Sequence, residues 1–191
     1  MDEIDLDPQG YTGTYKLVGG RLALDFINTT SWPYEERRHD WLSTGENLVK
    51  WCRAVGITLP GASDEDLPRI HRLRHDLDRV ARPVIEDALP TEEAVAALNR
   101  HLDWAFRHRR LSETTLEWVW TSQRDVLDYM APVVIDAAEI VARGHHERLG
   151  SCPSCAWLFE DHSRNGQRRW CDMADCGSRA KSRRYYHRRL G

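Results

Sequence analysis

Apolar residues recur at spacings of three and four along most of the chain, which is the pattern of amphipathic helices. The four helices that this pattern predicts begin near Ser43, Ser63, Thr91 and Asp125. Glu46 and Asp66 follow the first two of these residues at the spacing of capping boxes. The last helix covers residues 125–143 and ends at Gly144. The first 143 residues are therefore predicted to be mainly helical.

Two other segments favour β-structure. Residues 15–28 contain two apolar runs separated by Gly19-Gly20, which predicts a β-hairpin whose second strand ends at Asn28. Residues 111–120 alternate between apolar and polar positions, which predicts a short strand that pairs with the first hairpin. The predicted fold class is mainly α with small β-hairpins (α+β).

The domain organisation follows from these elements and from length. With 191 residues, of which 41% are apolar, the chain can form one or two domains. We expect an acidic, loose leader over the first fourteen residues, a helical domain with a β-ribbon over residues 15–143, a linker at 144–150 and a small module at 151–191. No segment is apolar enough to span a membrane, and no secretory signal precedes the domain, so a cytoplasmic protein is expected.

Four cysteines near the C-terminus have the spacing of metal ligands. Cys152 and Cys155 form a C-x-x-C knuckle, and Cys171 and Cys176 follow after a fifteen-residue loop. Four sulfurs fill the tetrahedron of one Zn²⁺ ion and leave no position for water or substrate, which indicates a structural zinc site. Disulfides and a redox pair are alternatives, but the chain shows neither a secretory signal nor a strand-helix-strand pattern around the C-x-x-C.

The segments around these cysteines predict a treble-clef-like zinc finger with four cysteine ligands. Asn165-Gly166 predicts the turn of a hairpin between Phe159 and Trp170. Gly177 allows a bend, and Ser178 can cap a basic helix at residues 179–189. Together these elements would bring the two cysteine pairs to one ion.

Charge separates this module from the rest of the chain. Residues 151–191 carry nine Lys and Arg against four Asp and Glu, a net charge of +5, which leaves −8 for residues 1–150. A basic surface concentrates polyanions, so the module is the candidate nucleic-acid interface. The candidate contact residues are Arg164, Arg168, Arg169, Arg179, Lys181, Arg183, Arg184 and Arg188. The alternatives are a solvated cationic helix, or one that docks on the acidic body.

A second candidate site lies at the end of the first predicted hairpin. Asp25, Asn28, Trp32 and Trp41 could form an aromatic-walled pocket with a few polar groups, suited to a small ligand. The two polar residues could instead cap helices or hold a turn. Eight tryptophans in the chain are otherwise explained by packing in the core.

Three further residues with metal-binding or nucleophilic side chains have simpler interpretations. His71 and His75 have the i, i+4 spacing of metal ligands, but the zincin glutamate is absent between them, so we interpret them as solvent-facing. Cys52 has apolar neighbours on its predicted helix and is interpreted as a buried core residue.

The cysteine-rich module resembles a known bacterial zinc finger. The segments that carry the resemblance are FEDHSRN (159–165), RWCDM (169–173) and CGSR (176–179), and in the first half of the chain LDFINT (24–29), DWL (40–42) and LN (98–99). They resemble the ABATE-domain proteins with a C-terminal CGNR finger, a family of stress-induced transcription regulators. Ser178 stands where that finger has its name-giving asparagine. The resemblance implies a zinc-bearing, DNA-binding regulator.

Two functions fit the sequence, and a third is not expected. A DNA-binding transcription regulator, whose helical domain senses a ligand or dimerises, accounts for most features. A zinc-finger adaptor that binds an acidic protein without nucleic acid is the alternative. An enzyme is not expected, because the sequence has no P-loop, dinucleotide glycine pattern, G-x-S-x-G elbow or zincin motif. The candidate partners are DNA, a small-molecule effector and a second copy of the chain in a homodimer.

Overall fold

Helices form most of the first three quarters of the chain, and short antiparallel ribbons connect them. The computed structural model describes residues 3–11, 13–36 and 38–190, without the side chains of residues 184 and 187–190. The helices are α1 (Leu22–Ile27), α2 (Gly45–Ala54), α3 (Leu67–Ile85), α4 (Glu92–His108), α5 (Ala131–Arg143) and α6 (Ser178–Leu190). The strands are β1 (Glu3–Ile4), β2 (Tyr15–Lys16), β3 (Thr30–Ser31), β4 (His39–Asp40), β5 (Arg109–Leu111), β6 (Trp118–Trp120), β7 (Leu149–Ser151) and β8 (Leu158–Glu160). Each odd-numbered strand pairs with the next strand in antiparallel register. The expected mostly helical region with small hairpins is confirmed.

The predicted amphipathic helices are present, with small shifts at their starts. Thr44, not Ser43, caps α2, because its hydroxyl accepts the Asn47 N–H at 3.1 Å. Ser63 forms the predicted capping box and opens a 3₁₀ turn that runs into α3. Thr91 caps α4 as predicted. Their apolar faces, with α1 and α5, enclose the main core.

The last predicted helix of the body begins later than its apolar pattern suggested. Residues Val126–Met130 form a 3₁₀ turn that Asp125 caps, and α5 begins only at Ala131. Pro132 lies in the first turn of α5, where its missing N–H costs no hydrogen bond. The cap at Asp125 and the position of Pro132 therefore determine where α5 begins.

The predicted hairpin at 15–28 is wrong. Leu22–Ile27 forms the short helix α1, in which Leu24 and Phe26 are fully buried, and β2 pairs with β1 instead. A continuous apolar run is ambiguous between a buried strand and a buried helix, and packing against α5 decides for the helix here. Gly19 allows its own backbone to lie close to α1, because a Cβ atom at Gly19 would lie 2.7 Å from the Asp25 nitrogen.

The loose leader predicted over the first fourteen residues is also wrong for the part of it that the structure describes. The side chains of Ile4 and Leu6 are buried in the core. Asn47 holds the segment from α2: its Oδ1 accepts the Asp7 N–H at 2.9 Å, and its Nδ2 donates to the Asp7 carbonyl at 3.0 Å. The acidic residues that suggested disorder lie between positions that pack inward.

The second ribbon forms within residues 109–120 and does not join the first. Strand β5 pairs with β6 across a tight turn at whose end Leu116 adopts a positive φ of 57°. Leu111, Leu116 and Trp118 remain more than half exposed. The alternation of apolar and polar residues in this segment therefore belongs to a separate two-stranded ribbon, which does not pair with β1 and β2.

The C-terminal module is fastened to the body by buried hydrogen bonds. The predicted linker at 144–150 already contains the first residues of β7. The Asn28 carboxamide, 1% exposed, donates to the Leu158 carbonyl at 2.8 Å and accepts the Leu158 N–H at 2.7 Å. The Trp157 indole donates to the Thr30 carbonyl at 3.1 Å. None of the described helices is long and apolar enough to cross a membrane.

Replacing Asn28 with alanine is predicted to destabilise the protein. The Asn28→Ala variant leaves two buried backbone groups of β8 without partners, which costs about 2 to 4 kcal/mol in free energy of unfolding. Denaturant unfolding measures the change. Asn99, which lies exposed on α4, provides the control: its alanine variant is expected to stay within about 0.5 kcal/mol of the parent. Equal stability of the two variants would contradict a fastening role for Asn28.

Candidate metal centre and basic surface

The four predicted cysteines converge at one point. Their sulfur atoms all lie within 4.8 Å of one another, and each residue is at most 4% exposed. The Sγ atoms of Cys155 and Cys171 are 3.4 Å apart, and none of the four is in a disulfide. Ligands of a tetrahedral Zn²⁺ with Zn–S bonds of about 2.3 Å lie about 3.8 Å from each other. The cluster therefore has the dimensions of a zinc site.

Cys152 and Cys155 lie in the tight turn between β7 and β8. The Cys152 N–H donates to the Trp157 carbonyl at 2.7 Å, and the Cys152 carbonyl accepts the Ala156 N–H at 2.9 Å. Ala156 closes the turn with a positive φ of 63°. This knuckle, residues 152–157, directs both sulfurs to the same side of the ribbon.

Cys171 and Cys176 flank the start of the last helix. Asp172 caps it by accepting the Ala174 N–H, and a π-helical turn over Met173–Gly177 leads directly into α6. The predicted cap at Ser178 and the bend at Gly177 are therefore wrong: both residues lie within continuous helix. Gly177 lies against the Met173 side chain, since a Cβ atom there would lie 2.6 Å from the Met173 sulfur and would displace that exposed side chain.

The hairpin predicted between Phe159 and Trp170 does not form. A turn is present at Arg164 and Asn165, and Gly166 has a positive φ of 61°, but β8 pairs with β7 instead. The buried Asp161 carboxylate holds the loop, since it accepts the N–H groups of Arg168 and Ser163, each at 2.8 Å. These hydrogen bonds, the one from Arg168 first, hold the pKa of Asp161 at about 2. Hydrogen bonds to the Asp161 side chain therefore hold this loop in place of the predicted strand pairing.

The chemistry of the cluster fits a structural metal. Four thiols buried this close together are stable as thiolates only beside a cation, because like charges in a dry site repel each other strongly. Arg179 adds positive charge, with its Nη2 3.5 Å from the Cys176 sulfur. Among the described residues, this is the one group of three or more His, Cys, Asp or Glu side chains suited to hold a metal. Cys52 lies apart in the core, where burial raises the pKa of its thiol to about 12.

The candidate DNA-contacting residues divide into two kinds. Arg168 is committed to the module itself: its Nε donates to the Trp170 carbonyl, its Nη2 to the carbonyls of Val18 and Cys171, and its guanidinium stacks on Phe159 at 4.4 Å. The exposed candidates are Arg164, Arg169, Arg179, Lys181 and Arg183. The side chains of Arg184 and Arg188 lie outside the described residues.

Two of the exposed arginines flank an aromatic ring beside the knuckle. Arg169 lies over the Trp170 ring at 5.3 Å, and Arg183 donates to the Ser154 hydroxyl at 3.3 Å. Together with Pro153 and Ala180 these residues line one shallow depression of about 240 Å³. We call the depression with its two arginines the basic surface. Two cations beside a flat ring could contact a phosphate backbone and a base.

The four residues of the predicted ligand pocket do not surround one cavity. Asn28 is committed to Leu158, as described above. Asp25 accepts the Gly19 N–H at 2.7 Å, and burial raises the pKa of its carboxyl to about 6. Trp32 and Trp41 line a narrow space of about 90 Å³ beside the cysteine cluster. The Trp32 indole donates to the Ser154 carbonyl at 2.7 Å, so this aromatic residue supports the knuckle.

A larger cleft lies elsewhere on the body and was not predicted from the sequence. Its wall on α3 includes Pro68, His71, Arg72 and His75. His71 was interpreted as solvent-facing, but it is half-buried and donates from Nε2 to the Leu42 carbonyl at 2.8 Å. In the sequence, the available signal was the run of histidine and arginine on one face of α3. That run identifies a cleft only when the position of the opposite wall is known.

Comparison with known families agrees with this geometry. Residues 20–144 match the ABATE family model, described as "Putative stress-induced transcription regulator". Residues 148–189 match the CGNR zinc finger model. No curated protein is significantly similar to the chain.

Removing one of the four sulfurs is predicted to remove the metal. Cys171→Ser leaves three thiolates, and the zinc content measured by atomic emission should fall from about one ion per chain to well below half. Amide signals of residues 148–183 should lose their dispersion at the same time. Cys52→Ala, which changes the one cysteine outside the cluster, should keep its zinc. A Cys171→Ser protein with a full complement of zinc would contradict the ligand set.

Proposed function

Since the chain belongs to the ABATE family and ends in a CGNR zinc finger, we propose that it is a transcription regulator that binds DNA through this finger. One structural Zn²⁺ ion, held by Cys152, Cys155, Cys171 and Cys176, fixes the knuckle against the start of α6. With four sulfur ligands the ion has no open position, so its role is to hold the fold and not to catalyse a reaction.

The observation that carries the proposal is the basic surface. Arg169 and Arg183 come from different segments, yet they meet beside Trp170 while both stay exposed. The metal cluster fixes their spacing, because Cys171 and Cys176 lie within a few residues of Trp170 and α6. A preorganised pair of guanidinium groups binds phosphates without the entropy cost of ordering two free side chains.

The distribution of charge supports the same orientation on DNA. The finger carries +5 and residues 1–150 carry −8, so a polyanion is attracted to one end of the molecule and repelled by the other. Arg168 takes no part in this contact, because its hydrogen bonds hold the loop in place. We infer that α6 and the loop before Cys171 approach the duplex while the helical domain faces away.

The helical domain then senses a ligand, mediates dimerisation, or does both, in a protein that acts in the cytoplasm. The exposed apolar ribbon favours a protein contact, since Leu111, Leu116 and Trp118, on the two strands and the turn between them, are each more than half exposed. The same observation favours the second candidate function, an adaptor that binds a protein and no nucleic acid. DNA binding by the basic surface distinguishes the two.

Charge reversal on the basic surface is predicted to weaken DNA binding. For the zinc-loaded Arg169→Glu/Arg183→Glu variant, fluorescence anisotropy with a random-sequence duplex should give an affinity lower by about tenfold or more. The slope of log K against log salt should become shallower by about 2, roughly 0.9 for each lost phosphate contact.

The matched control reverses two exposed arginines of the body, Arg53 and Arg110. The Arg53→Glu/Arg110→Glu variant has the same net charge as the test variant but an intact finger, so most of its affinity should remain. Equal losses of DNA affinity in both variants would mean that net charge alone, and not the basic surface, determines binding. No binding by the parent even at low salt would favour the adaptor.

A further inference from the structure

A cleft on the helical body lies apart from the cysteine cluster and from the basic surface. It opens between α3 and the segment after β3 and has a volume of about 440 Å³. This volume is within the range of small-molecule sites, about 300 to 1,000 Å³. It is several times larger than the narrow space beside Trp32 and Trp41.

One part of the cleft wall is apolar. Ile27, Pro33, Tyr34 and Pro68 contribute it. Tyr34 is fixed there, because its hydroxyl donates to the Asp78 carboxylate at 2.5 Å and its ring lies 5.5 Å from the Arg82 guanidinium. Rigid apolar surface of this kind binds the hydrocarbon part of a ligand at low entropic cost.

The rest of the wall carries arginines, and these differ in whether their guanidinium groups are available to a ligand. Arg74 is buried and already bound to Asp40 and Thr29, and Arg82 is paired with Asp78. Arg38 and Arg72 lie at the rim, with side chains 50% and 70% exposed. Among the described residues Arg38 pairs with Asp40 at 3.1 Å and Arg72 with Asp76 at 3.3 Å, and each guanidinium has further N–H donors that can turn toward the cleft.

The charges of the cleft wall indicate which anionic group a ligand should carry. Four arginines and one aspartate line the cleft, and three further acids, Asp40, Asp76 and Glu86, pair with Arg74, Arg72 and Arg82. Because these acids offset the four arginine charges, the wall suits a carboxylate better than a phosphate dianion, and arginine matches the two oxygens of a carboxylate geometrically. We propose that this cleft binds a small carboxylate with an apolar or aromatic body, held by Arg38 and Arg72 at the rim, with its body packed against Ile27 and the exposed ring of Tyr34.

The cleft is connected to the knuckle by direct hydrogen bonds. Arg82 donates from Nη1 to the Ala156 carbonyl at 3.1 Å. Trp32, which directly precedes Pro33 and Tyr34 of the wall, donates its backbone N–H to the Cys155 carbonyl at 3.1 Å. A ligand that moves Tyr34 or Arg82 changes the environment of the knuckle. Any effect of the ligand on DNA affinity rests on the function proposed above, whereas binding in the cleft does not.

Calorimetric titration of the zinc-loaded full chain tests the site, with 2-naphthoate as the probe. The neutral 2-naphthamide has the same shape without the charge and should bind at least about tenfold more weakly. Inorganic phosphate should bind more weakly than naphthoate as well. Naphthamide binding as tightly as naphthoate would overturn anion recognition, and phosphate binding more tightly would overturn the carboxylate assignment.

Two matched variants of α3 locate the bound probe. Arg72→Gln removes a cation of the cleft and should weaken naphthoate binding about tenfold. Arg79→Gln removes a half-buried arginine on the same helix that pairs with Glu93 outside the cleft, and it should leave the affinity unchanged. Equal affinities of the two variants would overturn the site. Both variants carry the same substitution, and thermal unfolding verifies that both proteins are folded.

Amide chemical shifts test the connection to the knuckle. Naphthoate should shift the signals of Cys155 and Ala156 together with those of the cleft, and shifts confined to the cleft would overturn the connection. Naphthoate binding that depends on Arg72, in a protein that does not bind DNA, would refute the proposed function and leave the cleft intact. DNA binding without Arg72-dependent naphthoate binding would refute the cleft alone.

Discussion

The convergence of four buried cysteine sulfurs is the constraint on which the C-terminal part of the chain depends. These sulfurs lie within 4.8 Å of one another in a region that water hardly reaches. In the proposed zinc site, a divalent cation would offset the repulsion between four thiolates and supply the main stabilising interaction of the finger, since short ribbons and one basic helix bury too little apolar area to fold alone. The direction of α6, and with it the position of Arg183, follows from where Cys176 must lie.

The finger in turn depends on the helical body. Asn28 completes the hydrogen bonds of β8, Trp32 and Arg82 bind the knuckle, and Arg168 reaches back to the Val18 carbonyl. Such contacts are buried or partly buried and specific, unlike those of modules joined by a free linker. The division into a domain at 15–143 and a finger at 151–191 stays a prediction, but the two parts share an interface through which each can influence the other.

The sequence predicted the parts whose chemistry is local. The C-x-x-C knuckle, the Ser63 capping box and the Thr91 cap depend on neighbouring residues, and all three are present. The predictions that failed needed information from distant residues. Leu22–Ile27 is a helix that packs against α5, and β8 pairs with β7 while the Asp161 side chain holds the following loop.

The candidate sites show the same limit. The four cysteines were identifiable by spacing, whereas the role of Asn28 depends on Leu158, 130 residues away. The cleft beside α3 could not be predicted, because Tyr34 and Arg72 meet only in the folded chain. Spacing identified the four clustered cysteines, and only tertiary structure separated Arg168, which holds the loop, from the exposed Arg169 and Arg183.

Amide hydrogen exchange with and without a zinc chelator tests most directly whether a metal-held finger forms one unit with the body. Removal of zinc is predicted to abolish protection in residues 149–177 and also to lower it at residues 28–32, while α4 and α5 stay protected. Loss confined to the finger would contradict the shared interface. Unchanged protection throughout would contradict the role of the metal.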